Sequence, residues 1–482
     1  MGVTQGLLPF QVALVEEPEL VTAHAAVPVV VELMRAVIPV ARYRELAAAL
    51  GYADWKVVRR HLESLVVLVV SGGEHISDLD VLRADRGLGR LLDTPLSSST
   101  QAKDFLYRFH QGVDGHALTD EEDRSLSSQG KARIRPEGPG LQALAGLVGE
   151  VVGALQHEHT RTTATLDVDA TLIEARKVEA LRCYEGYRAY QPQMAFWAEQ
   201  DIWVHDEFRD GNVPAAFSIR DFLKTAFGAL PDGIRTCRLR ADSALYDQKG
   251  LTWADDEGIE FVVSAVMSEE LARHIAAIPE SSWQRYATLA PGGSSEEREW
   301  AEVTAFLPEW PRNYRKGTKP FRYIAIRVRS RQRELFEGER TRPWKYFAVV
   351  TNMGWRGDRL LRWHREKQGT VEHAHGVMKN DLGGGVMPSG RFGANAAWWR
   401  INVLAHNLLA LLKSTALPDD LAQARPKTLR FRFFCVAGRL VHHARRWILK
   451  LHAGLPYARA FVDARRAIVA LARRRRCVQS CT

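Results

Sequence analysis

The chain has 482 residues, and its 66 Lys and Arg outnumber its 57 Asp and Glu, for a formal net charge of +9. Apolar residues make up 46% of the composition and charged residues 26%, which excludes a disordered or fibrous protein. No apolar run reaches the length of about 18 residues that suggests a membrane-spanning helix. The N-terminus lacks the basic start of a signal peptide, and five scattered cysteines indicate reduced thiols. We therefore expect a cytoplasmic protein.

Residues 1–140 are predicted to form a helical region that ends in a linker. The predicted helices span 42–50, 54–70, 78–92 and 101–110. Asp54 stands where an N-cap is expected, and Gly51 marks the end of the helix before it. Paired helices joined by short turns are compatible with DNA binding, although such hairpins more often serve packing alone. Residues 112–140, rich in Gly, Pro and charged side chains, are predicted to be a linker.

From residue 141 the pattern changes to that of an α/β protein. An apolar helix at 141–157 is followed by predicted strands at 163–169, 192–198, 202–207, 235–241 and 260–265, with helices at 216–230 and 246–257. Three strands followed by alternating helices and strands predict a mixed sheet flanked by helices. Residues 266–345 interrupt this pattern with Pro, Gly and charge clusters and with further strands, and a last strand is predicted at 346–351. A long helical stretch at 362–413, broken at Gly383–Gly385, completes the pattern.

The C-terminal segment is strongly basic. Residues 430–476 contain 12 Arg, one Lys and one acid, a balance of +12 that leaves −3 for the rest of the chain. We predict a helical segment that contacts a polyanion, because arginine suits bidentate phosphate contacts. The candidate DNA contacts are Arg430, Arg432, Arg445 and Arg446, which adjoin aromatic side chains. A solvated amphipathic helix pair and a membrane surface are the alternatives.

Three acidic positions are candidates for a metal site. Asp169 lies on the first predicted strand, two residues from Asp167 and on the same face. Asp242 follows the strand at 235–241, where an open α/β sheet exposes groups at strand ends. Glu372 shares a predicted helix face with Lys379, seven residues later. Converging carboxylates suit two-metal phosphoryl transfer with Mg²⁺, or Mn²⁺ in its place.

At these positions the sequence resembles the bacterial insertion-sequence DDE transposases. Asp169-Ala-Thr171 resembles their first-acid motif, and Arg240-Ala-Asp242-Ser243 resembles their second. The segment from Arg365 to Glu372, with Lys379 seven positions later, is similar to their signature of Tyr, Arg, Glu and Lys. More narrowly, the sequence is similar to the branch of the IS-four superfamily numbered thirteen-eighty.

The resemblance implies a ribonuclease-H-like catalytic core in two parts, 141–265 and 346–415. Between them, 266–345 would be a β-rich insertion, while 1–140 would serve DNA binding or dimerisation and 416–482 would be the Arg-rich segment. It also implies that Asp169, Asp242 and Glu372 bind two metal ions and that Lys379 contacts DNA phosphate near the cleaved end.

Two positions depart from the family signature, and one assignment has a rival. Arg365 stands in place of the signature tyrosine and Gln368 in place of its arginine. Arg365 or Lys367 could supply the missing charge toward DNA. Asp167 is an alternative to Asp169 as first acid, and we favour Asp169 because its Asp-small-Thr context matches the motif.

The function implied by the resemblance is cut-and-paste DNA transposition. The protein would bind the terminal inverted repeats of its element as a homodimer, free a 3′-OH by hydrolysis and join that end to target DNA, associated with the nucleoid when bound. One alternative is a catalytically inactive end-binding protein derived from a transposase, suggested by Arg365 and Gln368. Another is a related nuclease that cuts DNA without joining strands.

Overall fold

The computed structural model describes residues 20–289, 295–304, 306–308, 321–329 and 344–479, together with two short strands at 4–5 and 11–12. In these parts of the chain, no helix combines the length and apolar character needed to cross a membrane. The fold is a large mixed sheet flanked by helices, as predicted from the sequence.

The N-terminal region is helical, as predicted. Its elements are β1 (Thr4–Gln5), β2 (Gln11–Val12), β3 (Val21–Thr22), α1 (Pro28–Val37), α2 (Val40–Ala49), α3 (Trp55–Ser71), α4 (Asp78–Ala84), α5 (Arg86–Leu91), α6 (Ser99–Tyr107), α7 (Asp120–Leu126) and α8 (Pro139–Glu158). Asp54 caps α3, since its carboxylate accepts a hydrogen bond from the Lys56 backbone N–H at 2.9 Å. The helix predicted at 78–92 is interrupted at Asp85, whose carboxylate caps α5 at the Leu88 N–H (2.8 Å).

The segment predicted as a linker contains a helix and is fixed to the core. Helix α7 begins with a capping box between Thr119 and Glu122. Farther along, the Arg135 guanidinium donates to the buried carboxylate of Asp210, with Nε and Oδ2 3.1 Å apart. The Arg135–Asp210 contact joins residues 75 positions apart, so the local composition of Gly, Pro and charge could not reveal it.

The central elements alternate between strands and helices. They are β4 (Thr163–Ala170), β5 (Ile173–Glu174), β6 (Leu181–Arg182), β7 (Arg188–Tyr190), β8 (Gln193–Trp197), β9 (Ile202–Glu207), α9 (Ile219–Gly228), β10 (Thr236–Ala241), α10 (Gln248–Asp256), β11 (Glu260–Ser264), α11 (Glu269–Ala276), β12 (Gln284–Leu289), β13 (Ser295–Val303), β14 (Arg322–Arg329) and β15 (Trp344–Thr351). Strands β5, β7 and β6 form a small separate sheet.

The large sheet has the order β12-β13-β14-β15-β11-β10-β4-β8-β9 among the described residues. Strands β10 and β11 run parallel to β4, whereas β8 and β9 form an antiparallel meander on its other side. This five-stranded part has the ribonuclease-H-like arrangement predicted from the sequence. Strands β12 to β15 continue the same sheet in antiparallel fashion from β11.

The long helical stretch predicted after β15 consists of three helices. They are α12 (Gly357–Arg365), α13 (Val371–Asn380) and α14 (Phe392–Ala416), separated by 3₁₀ turns at Glu366–Gly369 and Gly383–Gly385. Helix α14 is buried over most of its length and packs against α8, α3, α6 and β9. Trp398 and Trp399 are fully buried, so they belong to the core.

A buried ion network fixes α14 to the sheet and to the segment before α8. The Arg400 guanidinium donates to Asp206, with Nε and Oδ1 2.9 Å apart, and to Glu137, with Nη2 and Oε1 2.6 Å apart. It also donates to the carbonyl of Leu141 at 2.9 Å. Burial raises the pKa of Glu137, but the charge and hydrogen bonds of Arg400 outweigh burial and leave that pKa below its ordinary value.

The basic C-terminal segment is only partly helical, in contrast to the prediction. Its elements are α15 (Asp419–Ala422), α16 (Pro426–Leu429), a π turn at Arg430–Phe434, β16 (Gly438–His443), β17 (Arg446–Lys450) and α17 (Ala458–Gln479). Strands β16 and β17 form a hairpin that is joined to β3 through Gly438 and Arg439. The pairing with β3 spans more than 400 residues of sequence, which is why local pattern did not indicate it.

Candidate active site

Two of the predicted acids meet at the carboxyl edge of the sheet. In the parallel pairing of β4 with β10, Ala241 lies opposite Val168, so the next residues, Asp242 and Asp169, are neighbours at the strand ends. The Asp242 carboxylate accepts a hydrogen bond from the Ala244 N–H at 2.9 Å and begins a 3₁₀ turn. This capping contact fixes the direction of Asp242 because it anchors one of the two carboxylate oxygens.

The third predicted acid, Glu372, lies in the first turn of α13 and is exposed. Together with Asp242 it lines a cavity of about 380 Å³, and Arg365, Lys367 and Gln368 line the same cavity. The two residues that depart from the family signature are therefore placed beside two of the candidate metal ligands.

Asp169 is coupled electrostatically to both other acids. Burial raises the pKa of Asp169 to about 6, the nearby Lys367 ammonium opposes this rise, and the charges of Asp242 and Glu372 add to it. A nearby like charge disfavours the charged form of a carboxyl group, whereas a nearby ammonium favours it. Asp169 and Asp242 are neighbours at the strand ends, and Asp242 and Glu372 line one cavity, so the three acids form an acidic cleft at this edge of the sheet.

Two lysines enter this cleft from the helical side. Lys367 is buried, and its Nζ lies 3.6 Å from Oδ2 of Asp169. The Nζ of Lys379 donates to the Thr171 hydroxyl at 2.9 Å; burial lowers the pKa of Lys379, which the charge of Asp169 partly offsets. The ammonium of Lys367 therefore faces the carboxylates, whereas the sequence suggested a contact with DNA.

Asp167, the rival first acid, is fully engaged inside the protein. It is completely buried, and its two oxygens accept hydrogen bonds from Nε and Nη2 of Arg240 at 2.6 and 2.9 Å. The hydroxyl of Thr370, just before α13, also donates to Asp167. This pair joins β4, β10 and α13, so it positions the cleft and favours Asp169 as the available carboxylate.

Two histidines near the acids had no clear functional signal in the sequence. His375 is buried, packs against Trp203 with ring centroids 5.0 Å apart, and has Nε2 3.9 Å from Oδ2 of Asp169. Burial lowers its pKa to about 3, so its ring is neutral. The ring nitrogen Nε2 of His364 lies 3.0 Å from the carbonyl oxygen of Ala241, the residue before Asp242. The only hint in the sequence was the position of His375 three residues after Glu372.

Of the four arginines predicted to contact DNA, one is used inside the fold and three are exposed. Arg430 donates to the carbonyl of Val70 at 3.0 Å, at the end of α3, and is thereby used within the fold. Arg432, Arg445 and Arg446 are exposed. Arg430 therefore serves packing, and the external arginines remain candidates for contacts with DNA.

The predicted metal ligands are three carboxylates, Asp169, Asp242 and Glu372. Among the residues that the structure describes, no group of three or more His, Cys, Asp or Glu side chains is arranged to hold a metal ion. The three acids nevertheless form a set of hard oxygen donors with excess negative charge, which suits Mg²⁺. Glu372 is exposed in the first turn of α13 and lines the same cavity as Asp242.

A ribonuclease-H-like sheet with an acidic cleft at its carboxyl edge is thus present, and the family comparison agrees with it. Residues 44–473 match the family described as Transposase DDE domain group 1. Because the match spans most of the chain, the chain belongs to this family of transposases.

Comparisons with individual proteins add little to this assignment. The chain is similar to a chain in a cryo-EM structure of the piggyBac transposase synaptic complex with hairpin DNA, at 10% identity, over 84% of this chain and 78% of that chain, with a TM-score of 0.46. A likeness at that level carries no argument about this protein. No curated protein matches the sequence.

Proposed function

We propose that the protein is an active cut-and-paste transposase. It binds the terminal inverted repeats of its insertion sequence, hydrolyses a phosphodiester and joins the freed 3′-OH to target DNA. The observation that carries this proposal is the arrangement of the acids: Asp169 and Asp242 are neighbours at the ends of the paired strands β4 and β10, and Glu372 lines the same cavity as Asp242. Membership of the transposase family supplies the reaction class, and the motifs around these acids favour the thirteen-eighty branch of the IS-four superfamily.

Asp169, Asp242 and Glu372 would hold two Mg²⁺ ions, with Mn²⁺ as a substitute. Two bound ions activate the attacking oxygen and stabilise the leaving oxygen of the phosphodiester. Asp169 must lose its proton to serve as a ligand, and Lys367 favours that loss through its positive charge. Before metal enters, the same lysine offsets part of the negative charge of the cleft.

The remaining polar residues would hold the DNA. Lys379 is held against Thr171 beside Asp169, a position from which its ammonium can contact a phosphate next to the cleaved bond. Arg365 and Gln368 line the cavity between Asp242 and Glu372, where they can contact the end of the element. Two ends must be cut together, so we propose a homodimer on DNA, located at the bacterial nucleoid.

Glu372→Gln should abolish excision from a donor plasmid that carries the DNA flanking the gene. The substitution keeps the size of the side chain and removes the charge needed for a metal ligand. Wild-type protein should release the marked segment, with rejoined products identified by sequencing, and the variant should release none. Glu121→Gln, an exposed glutamate in the first turn of α7, is the matched control, and we expect it to retain excision.

Other outcomes would favour the alternatives. Binding of the flanking DNA by wild-type protein, without nicking in Mg²⁺ or Mn²⁺, would indicate an end-binding protein derived from a transposase, with Arg365 and Gln368 as the first residues to restore. Cleavage without any joined product would indicate a nuclease. Equal excision by wild type and Glu372→Gln would contradict the assignment of the third acid.

Lys367→Met should raise the pH below which metal binding is lost. The Lys367 ammonium lowers the pKa of Asp169, so its removal raises that pKa above about 6, and the carboxylate form is reached only at higher pH. Mn²⁺ affinity measured by calorimetry from about pH 5 to pH 8 should show this shift. Lys224→Met, on the exposed face of α9, should leave the profile unchanged. An unchanged midpoint in Lys367→Met would contradict the coupling.

A further inference from the structure

The hairpin formed by β16 and β17 is strongly basic. Its 13 residues, 438–450, include three Arg, one Lys and two His, and no acid. In α17, by comparison, Arg465 forms an ion pair with Glu32 and Arg474 forms one with Glu158, two acids in other parts of the chain. The positive charge of the hairpin is thus not matched by acids of its own.

The two faces of the hairpin have different environments. Leu440 and its cross-strand partner Leu449 point to one face, where Leu440 is buried and Leu449 packs against the core. The opposite face carries the pair His443 and Arg446 near the tip, then Val441 and Ile448, then Arg439 and Lys450. His443, Arg446 and Lys450 are exposed, and Ile448 is 42% exposed. We call this solvent-exposed face the basic face.

The tip of the hairpin is narrow. His443 pairs with Arg446, so only Ala444 and Arg445 form the turn, with φ values of 47° and 65°. Such two-residue turns of left-handed residues usually contain Asn and Gly, which tolerate this backbone. Here the turn instead presents an arginine, next to a second one on the basic face.

We propose that this hairpin enters the major groove of duplex DNA and reads base edges with its basic face. The proposal rests on the proposed function, because the DNA is the end of the element. A two-stranded β ribbon fits the major groove, which is about 12 Å wide and presents a distinct pattern of donors and acceptors for each base pair. Attachment of β16 to β3 at Gly438 and Arg439 anchors the base of the ribbon to the helical region.

The residues of the basic face have matching chemistry. Arg446 can donate two hydrogen bonds to O6 and N7 of guanine, the most frequent specific contact in this groove. Val441 and Ile448 provide an apolar patch for thymine methyl groups, and Lys450, nearer the base, can contact the phosphate backbone. Specificity would therefore depend on Arg446, and general affinity on the other cations.

The test compares Arg446→Ala with Arg466→Ala, an exposed arginine of α17 that pairs with Asp463. Overlapping duplexes that tile the DNA flanking the gene identify the bound sequence by fluorescence anisotropy with full-length wild-type protein. Arg446→Ala should weaken binding to that duplex by about 10- to 100-fold and to a scrambled duplex by less than about threefold. Arg466→Ala should affect neither duplex by more than about threefold.

A second measurement identifies the groove. Replacing guanine by 7-deazaguanine in the bound duplex removes the N7 acceptor from the major groove alone. Wild-type protein should bind this duplex more weakly than the unmodified duplex. Arg446→Ala, which already lacks the contact to N7, should bind the two duplexes equally. The turn variant Ala444→Asn/Arg445→Gly keeps the hairpin and should retain the preference. An equal loss for both duplexes in Arg446→Ala, or indifference to 7-deazaguanine, would overturn the proposal.

Excision and binding measurements together separate an error in the role of the hairpin from an error in the proposed function. If wild-type protein excises the element and Arg446→Ala keeps its preference for the end, only the assignment of the hairpin falls. If wild-type protein binds none of the flanking duplexes, the proposed function and this inference fall together. Unchanged thermal midpoints of the variants would confirm that the exposed substitutions leave the fold intact.

Discussion

Asp242→Asn should reduce strand cleavage by at least roughly 1,000-fold, equivalent to about 4 kcal/mol of transition-state stabilisation. Asn preserves the oxygen that accepts the hydrogen bond from the Ala244 N–H, so the 3₁₀ turn should persist. What is lost is a charged ligand at the end of β10. Affinity for the element's end should change little, because the substitution leaves the basic surfaces intact.

Cleavage of labelled end DNA in Mg²⁺ and Mn²⁺ measures this effect, and Asp256→Asn is the matched control. Asp256 lies at the exposed end of α10, so its variant should cleave at the wild-type rate. A separate readout is the pKa of Asp169, which should fall in Asp242→Asn because the charge of Asp242 raises it. Cleavage by Asp242→Asn at more than a tenth of the wild-type rate would exclude Asp242 as a metal ligand.

Arg400→Met should destabilise the protein by about 3–5 kcal/mol, because it leaves the buried carboxylate of Asp206 and the partly buried carboxylate of Glu137 without their cation. Asp206 is buried, and Glu137 depends on Arg400 for its lowered pKa. Urea denaturation at neutral pH measures the loss in the free energy of unfolding. Arg465→Met removes a similar bidentate pair with Glu32 at the surface and should cost at most about 1 kcal/mol.

The destabilisation by Arg400→Met should shrink in acid. A carboxyl group with a lowered pKa in the folded state stabilises the protein above its unfolded pKa, and this contribution is lost as the pH falls through the folded pKa. Wild type therefore loses stability from Glu137 on acidification, whereas the variant has none of that contribution to lose. A gap in stability that stays constant or widens toward low pH would contradict the account of this network.

The sequence was informative where function depends on local pattern. Asp169 was predicted at the end of one short strand and Asp242 directly after another, and in the structure these two strands pair in parallel. Helix periodicity placed Glu372 and Lys379 on one face. These predictions required only neighbouring residues and the general rules of α/β sheets.

Contacts between distant segments could not be predicted. The approach of Lys367 to Asp169 depends on where a 3₁₀ turn lies against β4, some 200 residues away. Likewise, the engagement of Asp167 by Arg240 and the capping of α3 by Arg430 are set by packing and leave no periodic trace. The segment 438–450 was predicted to be helical with the rest of the basic C-terminal segment, because its pairing with β3, more than 400 residues earlier in the chain, leaves no local pattern.

The burial of α14 has a consequence for synthesis of the protein. Helices α3, α6 and α8 pack against it, and one continuous hydrophobic cluster joins them to the sheet. A ribosome that has completed α8 at residue 158 must still add about 260 residues before α14 is complete at residue 416, which takes roughly 13 to 52 s. During that time the apolar faces of the early helices have no final partner. The N-terminal region of a nascent chain therefore cannot complete its packing on its own. The chain can reach its native fold only after α14, in its last quarter, has emerged from the ribosome.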